Sequence, residues 1–232
     1  MLTVLWAIGI TAEAVTGALA AGRERMDLFG VIMVAFVTAL GGGSIRDLLL
    51  GHHPLTWVKD PEYVLLVVLA AIVTVSVAGI MKYFRQLFLV LDGLGLVVFS
   101  ILGAQLALQM ELGVIIAVVA AVVTGVAGGI MRDLLCDRIP LVFREELYAS
   151  ISVLTALLFV GLLELGVSSN LTVTITLVAG FVLRMLAIRF RWSLPLFEYE
   201  DSYFDSRKAL KKAQRLMLRR FRLQGRRPAV DE

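Results

Sequence analysis

Cysteine is all but missing from this sequence, charge is scarce and proline is rare. Cys136 stands alone, which excludes an intramolecular disulfide, a CxxC pair and a zinc cluster. A small apolar filler is its expected role. Charged residues make up 18% of the chain, against roughly 25% in an ordinary soluble domain, so a soluble globular fold is excluded. No P-loop, HExxH or Ser-His-Asp pattern can be written, so neither an enzyme nor a cofactor is expected. His52 and His53 have no further His or Cys nearby and read as a solvated loop rather than metal ligands. The first apolar block begins at Leu2 without a basic region before it and without an AxA site leading into a soluble chain, so it reads as a retained helix.

What the chain does have is hydrocarbon: 59% of its 232 residues are hydrophobic, and the mean hydropathy is +0.88. The apolar residues fall in blocks of about twenty, the length a helix needs to cross about 30 Å of hydrocarbon. The blocks are 2–21, 28–50, 63–81, 88–108, 113–135, 147–166 and 171–190, which predicts an all-α membrane domain of seven spans over 1–195. Arg23 and Arg25 follow span one, Lys82 and Arg85 span three, and Arg138 and Arg144 span five, whereas the even connections carry only Lys59. The positive-inside rule then places the N-terminus outside and the C-terminus in the cytoplasm. Ten of the 22 Lys and Arg residues lie in the tail, 196–232. Leu210, Ala213, Met217 and Phe221 recur at helical spacing among them, a pattern that suits an anionic lipid surface better than nucleic acid.

At an offset of 86, Gly41-Gly42-Gly43-Ser44-Ile45-Arg46-Asp47 aligns with Ala127-Gly128-Gly129-Ile130-Met131-Arg132-Asp133. The same offset matches Gly17 with Gly103, Val37-Thr38 with Val123-Thr124 and Pro54 with Pro140. The chain is therefore a duplication, with repeat one over about 2–81 and repeat two over about 88–166. Three spans per repeat is an odd number, so the copies enter the membrane in opposite senses, and such inverted pairs place a pathway near the midplane. Span seven, 171–190, lies outside the duplication and is expected to support packing or oligomer contacts.

Spans two and five are the expected interrupted helices, because Gly41–Gly43 and Gly128–Gly129 weaken a helix interior where an Arg-Asp pair follows inside the membrane. Close packing through small residues is the competing structural role. Asp47 and Asp133 are sequence neighbours of Arg46 and Arg132, about 100° away on a helical wheel, so pairing is expected elsewhere. Asp92 in span four lies at the depth of Arg132 and is its expected partner, whereas Glu13 has no obvious one. Arg184 is expected to snorkel from near a helix end. Thr16, Thr38 and Thr124 are semi-polar positions that either line a wet path or bond back to their own helices.

With GGGSIRDLLLG, GVAGGIMRDLL and the two proline loops in view, residues 2–195 resemble the bacterial family related to the trimeric intracellular cation channels, also called the glycine transporter family. GITAEAVTGALAAGRERMD, GHHPLTWVKDPEYV and FLVLDGLGLVVFSILGAQ resemble its YicG-like inner-membrane branch. The resemblance implies a homotrimer of seven-helix protomers, each with an hourglass pathway beside helices bent at Gly41–Gly43 and Gly128–Gly129. Arg46 and Arg132 match the motif arginines. Many members carry an acid at both positions of the duplicated pair that here reads Trp6 and Asp92, and Glu13 stands where the second half has Phe99.

Three functions follow. In a potassium-permeable channel, Glu13 and Asp92 would replace hydration while Arg46 or Arg132 bounds the constriction. A transporter of glycine or another small zwitterion would use both signs of charge. A structural, lipid-binding trimer would work through its basic tail.

Overall fold

The computed structural model describes residues 2–78, 84–144, 147–190 and 192. The tail and its lipid-facing pattern, together with Lys82 and the end of the third block, lie outside the described residues. Nine helices are found among those described: α1 (Leu2–Arg23), α2 (Leu28–Leu50), α3 (Thr56–Lys59), α4 (Glu62–Ala78), α5 (Phe84–Gln109), α6 (Gly113–Leu135), α7 (Leu141–Arg144), α8 (Tyr148–Glu164) and α9 (Ser169–Phe190).

Five of them, α1, α2, α5, α6 and α9, are long and apolar enough to cross a membrane, and α4 and α8 are shorter apolar helices. Large apolar side chains such as Phe29, Leu65 and Ile115 are exposed, as expected where hydrocarbon is the solvent. α1 and α5 are the enclosed pair, with 67% of their apolar stretch buried against 33% in α9. α2 packs on α1 and α6 on α5, α2 crosses α6, and α9 packs on α8 and α5. The helix outside the duplication, α9, thus packs within the protomer.

Local chemistry sets the ends of α2. The Asp27 side chain caps its first turn by accepting from the Gly30 amide at 2.7 Å. Gly51, at φ 68°, ends it in the left-handed conformation that favours glycine. Beyond the cap, the His52 amide donates to the Asp47 carbonyl at 2.8 Å, and 86 positions later the Arg138 amide donates to Asp133 at 2.9 Å. The two Arg-Asp helices therefore finish in the same way.

The glycines do not interrupt these helices. α2 and α6 run as unbroken α-helix through Gly41–Gly43 and Gly128–Gly129, against the sequence expectation. The missing side chains serve contact instead: a Cβ on Gly42 would strike the Thr124 carbonyl oxygen, and one on Gly128 the Thr38 carbonyl oxygen. Backbone meets backbone there, so the small residue is needed for closeness rather than for a break. Gly17 and Gly103 act likewise, their virtual Cβ atoms lying 2.8 and 2.6 Å from Oγ1 of Thr38 and Thr124. The Gly42–Thr124 and Gly128–Thr38 crossings between the halves are the same contact with the partners exchanged, the signature of a two-fold relation.

Candidate functional site

Two arginines, one at the C-terminal end of each Arg-Asp helix, organise the polar interior. Both are buried, with Arg46 1% and Arg132 0% exposed. Gly43 and Gly129 lie beside them: a Cβ on Gly43 would sit 3.9 Å from Arg46 Nη2, and one on Gly129 3.6 Å from Arg132 Nη2. Gly41 has a different neighbour, the end of the Met131 side chain.

Around Arg132 the structure gathers three carboxylates. Nη1 donates to Asp92 Oδ1 at 2.8 Å and Nε donates to Asp133 Oδ1 at 2.9 Å. Glu13 Oε2 lies 3.9 Å from Nη1. Thr16 Oγ1 ties the group together, donating to Glu13 Oε2 at 2.9 Å and accepting from Arg132 Nη1 at 3.3 Å. The Phe88 ring covers the guanidinium at 4.6 Å. Glu13 has room because it lies over Gly95, where a Cβ would collide with its carboxylate. With all three acids ionised the cluster would carry a formal excess of negative charge in a buried position. Such an arrangement suits a passing cation or proton better than an anion.

Arg46 is furnished differently. Nε and Nη2 donate to Asp47 Oδ1 at 3.0 and 2.5 Å, and Nη2 reaches Thr56 Oγ1 at 3.2 Å. The Trp6 ring takes the place that Asp92 holds in the second half, 5.5 Å from the guanidinium carbon. Trp6 is itself held between Tyr63 and Phe99, with ring centroids 5.9 and 6.0 Å away.

Asp92 and Arg132 pair as expected. Four expectations need correction. Asp47 and Asp133 do bind the arginines beside them, because a wheel angle gives the direction of Cβ and not the reach of a long side chain that folds back round the helix. Glu13 is not alone; it shares Thr16 and Arg132 with Asp92. Arg184 does not snorkel but is fully buried, with its guanidinium 4.5 Å from the centre of the Tyr148 ring, because α9 packs that face against α8 and α5. Thr38 and Thr124 bond back to Val34 and Ala120 of their own helices. His52 is not simply solvated, its Nδ1 lying 3.4 Å from Asp47 Oδ1.

The sequence reading missed the two four-residue helices. Asp47 Oδ2 accepts from the Thr56 amide at 2.8 Å and from its hydroxyl at 2.9 Å, and Asp133 Oδ2 accepts from the Leu141 amide at 2.9 Å. Each acid therefore anchors the start of the short helix that follows it, as carboxylates do at helix N-termini. The signal was present in the paired prolines, Pro54 and Pro140, just before them. Cys136, at the cap of α6, is 2% exposed, and burial pushes its thiol above the ordinary range. It is the filler expected, and a poor nucleophile.

Comparison with known proteins agrees with the duplication. The pattern of the family described as Glycine transporter matches residues 3–78 and again 89–164. The chain is 37% identical to a UPF0126 membrane protein of Vibrio cholerae over 82% of this chain and 80% of that one. It is 35% identical to the UPF0126 inner membrane protein YadS of Escherichia coli, over 84% and 95% respectively. Among solved structures, the trimeric intracellular cation channel orthologue from Rhodobacter sphaeroides superposes with a TM-score of 0.79 at 38% identity, covering 82% of this chain and 97% of that one.

Proposed function

The chain belongs to the glycine transporter family, and on that premise we propose that it is an inner-membrane cation channel, permeable to potassium, that assembles as a homotrimer with one pathway in each protomer. The observation that carries this reading is the likeness to a trimeric cation channel along nearly that protein's whole length. The carboxylates about Arg132 support it, because Asp92 and Asp133, both hydrogen-bonded to the guanidinium, offset the barrier that a fixed positive charge would raise against a cation.

In this reading seven helices cross the membrane, α1, α2, α4, α5, α6, α8 and α9, with the two-fold axis in the membrane plane. The N-terminus faces outward, and the basic tail meets anionic lipid on the cytoplasmic side. Gly41, Gly42, Gly43, Gly128, Gly129, Arg46, Asp47, Arg132, Asp133, Glu13 and Asp92 line or bound the path, and α2 and α6 bend at their glycine motifs without a break in the helix. The mixed charge of the arginine clusters favours a second reading, a carrier for glycine or another small zwitterion.

Planar-bilayer recording of the purified protein in symmetric potassium chloride separates the two. A channel gives discrete potassium-selective steps, diminished in Asp92→Asn. A carrier gives silence together with exchange of labelled glycine, because microsecond-to-millisecond conformational cycles limit its turnover.

A further inference from the structure

The second repeat gives Arg132 Nη1 a carboxylate from the neighbouring helix, Asp92, at 2.8 Å. The first repeat places Trp6 at the matching position; each arginine keeps one buried nitrogen without a hydrogen-bond partner among the described residues, Arg132 its Nη2 and Arg46 its Nη1, the nitrogen that the matching carboxylate would take. Arg46 lines a cavity of about 210 Å³ enclosed by α1, α2, α3 and the last turns of α5. That volume is below the 300–1,000 Å³ typical of pockets for drug-sized ligands, so it suits a solute of a few heavy atoms. Lys59 also lines the cavity and adds a second cation. Gln105 and Asp60 line it too, and Gln105 Oε1 is another buried polar atom without a hydrogen-bond partner among the described residues.

We propose that this cavity binds a small carboxylate, which sits beside the Trp6 ring and accepts from Arg46 Nη1. An orphaned guanidinium nitrogen in a buried setting is costly, and a carboxylate is the group whose geometry the arginine fork matches. Lys59 adds attraction from the rim. Gln105 Oε1 and Asp60 are acceptors, and they receive an ammonium or hydroxyl group where the acid carries one beside its carboxylate. The inference goes beyond the channel reading and does not depend on what permeates. Its consequence for that reading is that an occupied site cancels a positive charge beside the path.

The test is saturation-transfer NMR on the full chain in lipid nanodiscs at neutral pH, with acetate, glycine and methylammonium as probes. Saturation should reach acetate, glycine should displace it, and methylammonium should receive none. Trp6→Asp, which supplies the internal carboxylate of the second repeat, should weaken acetate binding tenfold or more, and Arg46→Gln should abolish it. Lys59→Ala, at an exposed rim residue, should weaken it several-fold and keeps the test decisive if the buried variants do not assemble. No transfer to acetate above methylammonium, binding of glycine without acetate, or unchanged affinity in assembled Trp6→Asp and Lys59→Ala overturns the proposal. Current is not the readout, so failure here and failure of the channel reading are distinguishable.

Discussion

At the scale of single residues, the two arginines are alike in motif and unlike in company. Arg132 is held by Asp92, Asp133 and Thr16, and each contact is buried. Removing one partner from a buried ion pair costs about 3–5 kcal/mol. Because Asp133 and Glu13 remain and an amide oxygen still accepts, Asp92→Asn is expected near the low end, about 3 kcal/mol. The measurement is the unfolding temperature of the assembled protein. Glu13→Gln should cost less, since Thr16 can still donate to the amide and the Arg132 contact is long at 3.9 Å. An unfolding temperature lower in Glu13→Gln than in Asp92→Asn would reverse that order of importance. The pairing of Asp92 with Arg132 was legible in the sequence from depth alone. The pairing of each arginine with its own neighbour was not, because side-chain reach is invisible to a helical wheel.

At the scale of elements, the bounds of α2 and α6 follow from composition and match expectation, since a long apolar run between polar ends leaves little freedom in lipid. The short helices α3 and α7 escaped because four residues have no periodicity to read, and what holds them, the Asp47 and Asp133 carboxylates, lies eight or nine residues earlier. The glycines misled in a different way. A triple looks like a weak point in one helix, yet its use depends on what crosses it. Gly128→Ala should therefore destabilise by about 1–3 kcal/mol or more, as overpacking does, because the added atom meets the Thr38 backbone, which cannot swing aside. Gly161→Ala in α8, where a Cβ meets nothing within 4 Å, should stabilise by about 0.5–1 kcal/mol. Thermal unfolding of the pair checks both signs; equal shifts would sink the close-crossing explanation.

At the scale of the whole molecule, sidedness can be tested with the chain's own chemistry. The lone cysteine is buried and its thiol is held protonated, so a membrane-impermeant maleimide should leave the parent protein almost unlabelled at pH 7.5. In intact cells His53→Cys should label, whereas Arg25→Cys should label only after permeabilisation; the reverse pattern would invert the proposed topology. The duplication itself was plain in the sequence, because Arg-Asp and proline at one offset outlast apolar drift. Where the halves differ in chemistry was plain too, at Trp6 and Asp92, but what the difference leaves open required coordinates. The Thr38–Gly128 and Thr124–Gly42 crossings are one contact made twice. Two unlinked half-length chains facing opposite ways would make the same pair of contacts, so the fold amounts to a homodimer joined end to end. Before joining, any substitution struck both arginines at once. Once joined, the copies are free to differ, and they do: Arg132 has Asp92 beside its own Asp133, whereas Arg46 has Trp6 beside its own Asp47.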